Sequence, residues 1–398
     1  MATQSPYLVT VTGQDGPGVA ERLFASLEVA GLEVRDVEQV RVHGRLLLCV
    51  EVAGSRAGDS GLVSDIAKNL GDDRIEVSVS ALTEAESRSV SDRFLVTLLA
   101  STVEAGTLRG VAGCIAECGG NIERIVRLSD YPVHSYEFSV AGGDLVELRR
   151  AMAHQAVLDE VDIAVQVAGL HRRAKHLIVL DADSTLLQGE VIDLLAEQCG
   201  CGAQVAAVTE AAMAGEIDFE EALRRRVRLL AGLGKTELSA VRKALLLTPG
   251  ARTLIRTLKR LGYEIAVVSG GFTHLIEDLV KEIGVDHLAA NELELVDGVL
   301  TGDIVGPVID RAGKAEALKR FAAVAGVPLS QTIAVGDGAN DLDMLAVAGL
   351  GIAFNAKPMV RQAADTALSV PYLDAILFLL GISRTEVEAA DQLDDSGQ

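Results

Sequence analysis

The sequence predicts an α/β protein built in two parts. Two β-α-β-β-α-β units come first, and a doubly wound parallel sheet with a helical insert follows. Three observations carry this reading. Tyr7-Leu8-Val9-Thr10 recurs as Phe94-Leu95-Val96-Thr97, 87 positions later, which marks an internal repeat. Downstream, three apolar runs without polar alternation each end in a polar residue, the pattern of strands buried on both faces. The chain has 398 residues, 49% of them hydrophobic and only 3% aromatic. That is enough for two or three domains whose cores are built from Ala, Val, Leu and Ile.

In the first copy a strand starts at Tyr7 and a helix is expected over residues 19–30, with Leu23, Leu27 and Ala30 on one face and Gly31 as its stop. Residues 34–42 and 45–52 read as strands joined by a hairpin at His43-Gly44. A helix near 61–70 and a strand over 75–81 complete the unit, and the same order recurs over residues 93–167. The arrangement is a ferredoxin-like unit, twice, placed at 1–84 and 92–168 with a polar linker between. Tyr131 to His134 reads as a hairpin connection. A basic stretch from His171 to His176 marks the next boundary, and residues 177–384 alternate strands with long helices. Residues 385–398 carry Glu386, Glu388, Asp391, Asp394 and Asp395 with few large apolar side chains and are expected to be a disordered acidic tail.

Lys and Arg number 36 against 57 Asp and Glu, a net charge of −21. Such a balance argues against binding nucleic acid or an anionic membrane. No apolar run is long enough for a membrane span, and residues 1–6 show no secretory pattern, so a cytoplasmic location is expected. The five cysteines, Cys49, Cys114, Cys118, Cys199 and Cys201, are expected to be reduced thiols, with Cys199 and Cys201 packing at a helix end rather than holding a metal.

The chemistry gathers at strand ends. The run 177–180 ends at Asp181, 265–268 at Ser269, and 332–335 at Gly336-Asp337. In open α/β sheets ligands bind outside the carboxyl ends of the strands, so these residues are expected to converge. Asp181-Ala182-Asp183-Ser184-Thr185 alone is an Asp-rich turn, and Lys314 alone is an ordinary helical lysine. Their company is specific: Ser269-Gly270-Gly271, then Lys314, then Gly336-Asp337-Gly338-Ala339-Asn340-Asp341, in that order. With these motifs, residues 177–380 resemble the phosphatases of the haloacid dehalogenase (HAD) superfamily, and within it those acting on phosphoserine. The resemblance implies a Rossmann-like core under a helical cap over about 188–249.

The physical logic matches. Phosphate monoester cleavage needs a nucleophile, a proton donor for the leaving alkoxide and positive charge around the phosphoryl oxygens. Asp181 can serve as nucleophile and Asp183 as general acid and base. Asp181, Asp183, Asp337 and Asp341 would crowd four carboxylates near a dianionic phosphate, so cations are required, and Mg²⁺ is the hard cation that carboxylate oxygens suit. By resemblance, Asp181 and Asp337 ligate Mg²⁺ through side chains and Asp183 through its carbonyl, while Thr185 and Asp341 support the site. Lys314 adds a point charge on the phosphate. Ser269 and the Gly270 N–H complete the cradle, with Asn340 beside it.

The helical insert is expected to read the rest of the substrate. At about 100° per residue, Phe219, Leu223, Val227 and Leu230 form one apolar stripe. Arg226 falls inside it, and Arg224 and Arg225 fall away. An unpaired charge facing inward is costly unless a substrate carboxylate pairs with it. The resemblance assigns Arg226 to that carboxylate, Glu190 to the substrate amino group, and Met213 and Phe219 to the pocket lining. O-phospho-L-serine is the implied substrate.

Gly13-Gln14-Asp15-Gly16-Pro17-Gly18 lies between the first strand and helix and resembles the loop of ACT domains, which bind amino acids. The second copy has Ala100 to Gly106 there and lacks Asp-Gly-Pro-Gly. Asp15, Gly16 and Gly18 are therefore the candidate effector residues, with L-serine as the implied effector and a homodimer or higher homo-oligomer as the implied assembly. Two alternatives remain open: a phosphotransferase passing the phosphoryl group to another alcohol such as homoserine, and an amino-acid-sensing regulatory protein.

Overall fold

A computed structural model describes residues 6–59, 61–83, 92–169, 172 and 174–396. The chain forms two units, Met1–Ser91 and Asp92–Gln398.

The first unit is β1 (Tyr7–Gln14), α1 (Val19–Val29), β2 (Glu33–Val42), β3 (Arg45–Ala53), α2 (Leu62–Leu70) and β4 (Ile75–Ala81). Its antiparallel sheet has the order β2-β3-β1-β4. His43 and Gly44 both take positive φ, 47° and 79°, the twist a two-residue hairpin demands. Leu23 and Leu27 of α1 are buried against Val9, Val11, Leu48 and Val50 of the sheet. Edge strand β2 is exposed on both faces along its whole length.

The second unit begins with the second copy: β5 (Arg93–Ala100), α3 (Ala105–Glu117), β6 (Asn121–Ser129), β7 (His134–Ala141), α4 (Leu145–Leu158) and β8 (Asp162–Val167), with sheet order β6-β7-β5-β8. A cis Tyr131–Pro132 bond sits in the β6–β7 connection. The third sheet has seven strands in the order β12-β11-β10-β9-β13-β14-β15. They are β9 (Leu177–Asp181), β10 (Glu264–Phe272), β11 (His287–Val296), β12 (Val299–Val305), β13 (Thr332–Gly336), β14 (Gly351–Phe354) and β15 (Thr366–Leu368). All neighbours are parallel except β11 and β12. Every residue of β9 and β13 is buried, as unalternating apolar runs require.

After β9 the chain forms the insert helices α5 (Val191–Cys199), α6 (Gly202–Met213), α7 (Phe219–Arg228) and α8 (Lys235–Ala244). It then runs α9 (Ala251–Arg260), β10, α10 (Thr273–Glu282), β11 and β12, building outward on one side. It crosses to the other side of β9 through α11 (Arg311–Val324) into β13. This reversal puts the ligand crevice at the carboxyl ends of β9, β10 and β13. Beyond β13 come α12 (Leu342–Val347), α13 (Pro358–Ala363), α14 (Ile376–Leu379) and α15 (Arg384–Ser396).

The second copy and the sheet domain share one core. Leu99, Leu128, Val133 and Ala164 belong to the same buried cluster as Leu180, Ile333 and Phe378. The Asp162 carboxylate accepts from the Ser369 N–H at 2.5 Å, and burial raises its pKa. Gln166 Nε2 and Arg172 Nε both donate to the Leu379 carbonyl, at 2.8 and 3.0 Å. Arg172 also pairs with Glu137 at 2.5 Å.

Two expectations are corrected. The acidic tail is not disordered: it forms α15 up to Ser396. Arg256 and Arg260 of α9 hold Asp391 at 2.5 and 2.6 Å, Arg260 also pairs with Asp394, and Val387 is buried. Two of the acids that looked like a solvated run, Asp391 and Asp394, face arginines of α9. Cys199 and Cys201 are not two free thiols but a disulfide with Cα atoms 5.4 Å apart. Cys199 ends α5, and Gly200 in the left-handed region (φ 68°) folds the chain so that the two sulfurs meet. Cys49, Cys114 and Cys118 are free. No helix of the described residues is long and apolar enough to cross a membrane.

Candidate active site

Strand β9 delivers Asp181, 2% exposed, to the mouth of the sheet. Residues Ala182–Leu186 then make a wide turn in which Ser184 takes φ 57° and donates its N–H to the Gly189 carbonyl at 3.1 Å. The turn swings Thr185 inward, where its hydroxyl donates to Asp337 at 3.3 Å. The Thr185 carbonyl is held from behind by the buried Thr248 hydroxyl at 2.6 Å. Asp337 follows β13, and Gly336 is required there: a Cβ would fall 2.4 Å from the Asp341 carboxyl carbon.

Lys314 enters from the first turn of α11 and is 1% exposed. Its ammonium donates to Asp181 at 2.6 Å and to Asp341 at 2.7 Å. Burial works against its charge, but the two carboxylates outweigh burial and raise its pKa. Asp341 also accepts the Gly338 N–H at 2.9 Å. Burial and its carboxylate neighbours push Asp181 up, against the pull of Lys314. Burial, then Asp341, push Asp337 up to about 6. Oxygens of Asp181, Asp337 and Asp341 lie within 4.8 Å of one another. One lysine cannot balance this set, so the donor set fits a hard divalent cation.

The Ser269-Gly270-Gly271 segment lies within β10, just past its last pairing with β9 at Val268. The Ser269 hydroxyl donates to Asp183 at 3.2 Å and accepts the Gly271 N–H at 2.8 Å. Asp183 also accepts the Val191 N–H at 2.8 Å, and burial raises its pKa. Gly271 leaves room for this contact, since a Cβ would lie 2.8 Å from the Asp183 carboxylate. Asn340 lies over Gly338, where a Cβ would sit 2.1 Å from its Oδ1.

The insert adds the second half. On α7, Leu223 and Val227 are buried, as is Leu230 just beyond it, while Arg224 and Arg225 pair outward with Glu220 and Glu221. Arg226 is half-buried, its Nε buried without a hydrogen-bond partner. Burial lowers its pKa, opposed by Glu190, Asp193 and Asp183. Glu190 accepts the Ser184 hydroxyl at 3.2 Å. The residue as a whole is exposed, while burial of its carboxyl, then Asp183 and Asp337, pushes it up to about 7. The Phe219 ring lies against Gly270, 3.4 Å from where a Cβ would stand. Met213 closes α6, and its side chain lies outside the described residues.

Asp15, Gly16 and Gly18 lie in the first unit, apart from this cluster in sequence. Asp15 pairs with Arg41 of β2 at 2.8 Å. Gly18, at φ 85°, opens α1 without a side-chain cap. Two residues escaped the sequence reading. Thr248 braces the Ala182–Leu186 turn, and the buried Asn291 at the end of the β10–β11 pairing donates to the Gly270 carbonyl at 2.8 Å. Asn291 carries the signal used elsewhere, a polar residue ending the run Leu288-Ala289-Ala290.

Comparison with known proteins agrees with this architecture. The haloacid dehalogenase-like hydrolase family matches residues 178–346, and ACT domain families match 5–80 and 93–166. The chain is 52% identical over 393 residues to a phosphoserine phosphatase of Streptomyces coelicolor, covering 98% of this chain and 95% of that one. It is 49% identical over 395 residues to one of Mycobacterium tuberculosis, covering 98% and 97%. The crystal structure of a probable phosphoserine phosphatase from Vibrio cholerae superposes with a TM-score of 0.58 at 32% identity, over 75% of this chain and 89% of that one. With a buried lysine bridging Asp181 and Asp341, a helical insert above them and two ACT domains ahead, the chain belongs to the phosphoserine phosphatase family of haloacid dehalogenase-like hydrolases.

Proposed function

We propose that this chain hydrolyses O-phospho-L-serine to L-serine and phosphate, with Mg²⁺ as cofactor. The observation that carries the substrate assignment is Arg226, a guanidinium whose buried Nε lacks a partner within electrostatic reach of Glu190. An amino acid headgroup needs one cation and one anion, and these two side chains supply them. Phe219, against Gly270, lines the space between headgroup and phosphate.

Asp181 attacks phosphorus as the bond from phosphorus to the serine oxygen breaks, giving an aspartyl-phosphate. Asp183, whose pKa burial raises, gives its proton to the departing alkoxide. It then takes a proton from water, which attacks the aspartyl-phosphate, frees phosphate and restores Asp181. Lys314 holds Asp181 in place and supplies positive charge. Ser269, Gly270 and Asn340 hold the phosphoryl oxygens. Asp181 and Asp337 would hold Mg²⁺ through side chains and Asp183 through its carbonyl, with Thr185 and Asp341 in support; the ion neutralises charge on the phosphoryl oxygens. Phosphate release from a panel of phosphomonoesters, with metal removed by EDTA and restored, tests the reading. Turnover of phosphoserine well above the others, lost and regained with Mg²⁺, is expected; an unselective or metal-independent rate overturns it.

L-Serine is the proposed effector at Asp15, Gly16 and Gly18, where an uncapped helix start suits a carboxylate. The exposed Val34, Val37, Val40 and Val42 of β2 support assembly as a homodimer. Non-competitive inhibition by serine that Asp15→Ala removes is the expected result; calorimetry showing no serine binding overturns it.

A further inference from the structure

We propose that Asn291 is a positioning residue for phosphoryl transfer, one side chain that sets both the Ser269–Gly271 segment and the approach to Lys314. The proposal rests on the phosphatase reading above. Along the parallel β10–β11 pair, Val268 faces Ala289 and Phe272 faces Asn291. Four steps on β10 therefore match two on β11, and the surplus backbone at Ser269, Gly270 and Gly271 bulges out of the ladder. A bulge leaves backbone groups without ladder partners. Buried groups of that kind must be satisfied elsewhere.

Asn291 does this at 1% exposure. Its Nδ2 donates to the Gly270 carbonyl at 2.8 Å, and its Oδ1 accepts the Ile309 N–H at 2.8 Å. The two partners fix the amide orientation, since a carbonyl only accepts and an N–H only donates. With its carbonyl tied back, the bulge presents the Ser269 hydroxyl, locked by the Gly271 N–H, toward Asp183. Ile309 immediately precedes Asp310, whose carboxylate accepts the Gly313 N–H at 2.7 Å and whose carbonyl accepts the Lys314 N–H at 2.9 Å. A single planar amide thus spaces the hydroxyl on one side of the phosphate cradle against the ammonium on the other.

The site needs a donor and an acceptor on one short side chain. An aspartate in its place would supply only acceptors: its carboxylate keeps the bond to the Ile309 N–H and opposes the Gly270 carbonyl. Asn291→Asp in the full chain is therefore expected to lower kcat/KM by about 10²-fold, the scale on which misplacing one cradle group acts. The loss is the same for phosphoserine and p-nitrophenyl phosphate, because the headgroup site is untouched. Beryllofluoride binding weakens in parallel. Asn291→Ser, which keeps a shorter donor, is expected to lose about 10-fold and carries the test if the Asp variant does not fold. Three results would overturn the proposal: rates within about 3-fold of the parent in the folded variants, a rate loss with beryllofluoride affinity unchanged, or a shift in the ratio between the two substrates. If the parent cleaves p-nitrophenyl phosphate but not phosphoserine, the substrate assignment fails while the p-nitrophenyl phosphate arm still tests Asn291.

Discussion

The two ends of the proposed site are built on opposite plans. At the phosphate end Asp181, Lys314 and Asp341 are 2%, 1% and 0% exposed and already bonded to one another. At the headgroup end Glu190 meets water and Arg226 keeps a buried Nε without a partner. Preorganised charge is most effective in transition-state stabilisation because nothing has to reorient during the reaction. Recognition gains from groups that stay unpaired until the right ligand arrives. The chain spends rigidity on chemistry and leaves selectivity to the insert.

Substitutions can break this contrast, and the largest effect belongs to the phosphate end. Asp181→Asn removes the proposed nucleophile and should lower kcat on the order of 10⁶-fold. The fold should survive, because Lys314 keeps Asp341; circular dichroism and loss of beryllofluoride trapping check both halves. Asp183→Asn should slow phosphoserine cleavage by about 10²–10⁴-fold. It should slow p-nitrophenyl phosphate less, since that leaving group needs little protonation.

At the headgroup end the losses are smaller and selective. Arg226→Ala should cut kcat/KM for phosphoserine by about 10²-fold, as for a buried charged partner, and leave p-nitrophenyl phosphate nearly unchanged. Equal losses on both substrates would assign Arg226 to the phosphate or to the fold. The smallest effect is in pH. With the Glu190 carboxyl pushed up to about 7, it gains a proton as pH falls through that value and ceases to attract an ammonium. kcat/KM for phosphoserine should therefore drop below about pH 7 more steeply in the parent than in Glu190→Gln, compared in the same buffers.

Much of this is legible in the sequence. Apolar runs ending in Asp181, Ser269 and Asp337 place the candidate site, because a strand buried on both faces admits polar residues only at its end. Arg226 is visible as a charge inside an apolar stripe. Asn291 follows the same rule as the strand-end residues, but Leu288-Ala289-Ala290 is a weak apolar run and hides it. The docking of the second repeat is hidden for another reason. Leu99 and Leu128 fit its own strand pattern, and nothing in one sequence distinguishes a residue facing its own helices from one facing a neighbour. The order of α15 is masked when its acids are counted without their partners Arg256 and Arg260.

The strap formed by residues 369–373 decides where this chain can be cut. Asp162 holds its start through the Ser369 N–H, and the Leu373 N–H donates to the Pro249 carbonyl at 2.8 Å. Pro249 adjoins Thr248, which braces the Ala182–Leu186 turn. Truncation at residue 92 spares every one of these links, and calorimetry of residues 92–398 should show one cooperative transition. Truncation at residue 177 removes Asp162 and bares the surface that Leu99, Leu128, Val133 and Ala164 cover, at a cost of about 2 kcal/mol for each large side chain lost. The smallest independently melting catalytic unit is therefore expected to include a domain that contributes no residue to the proposed chemistry.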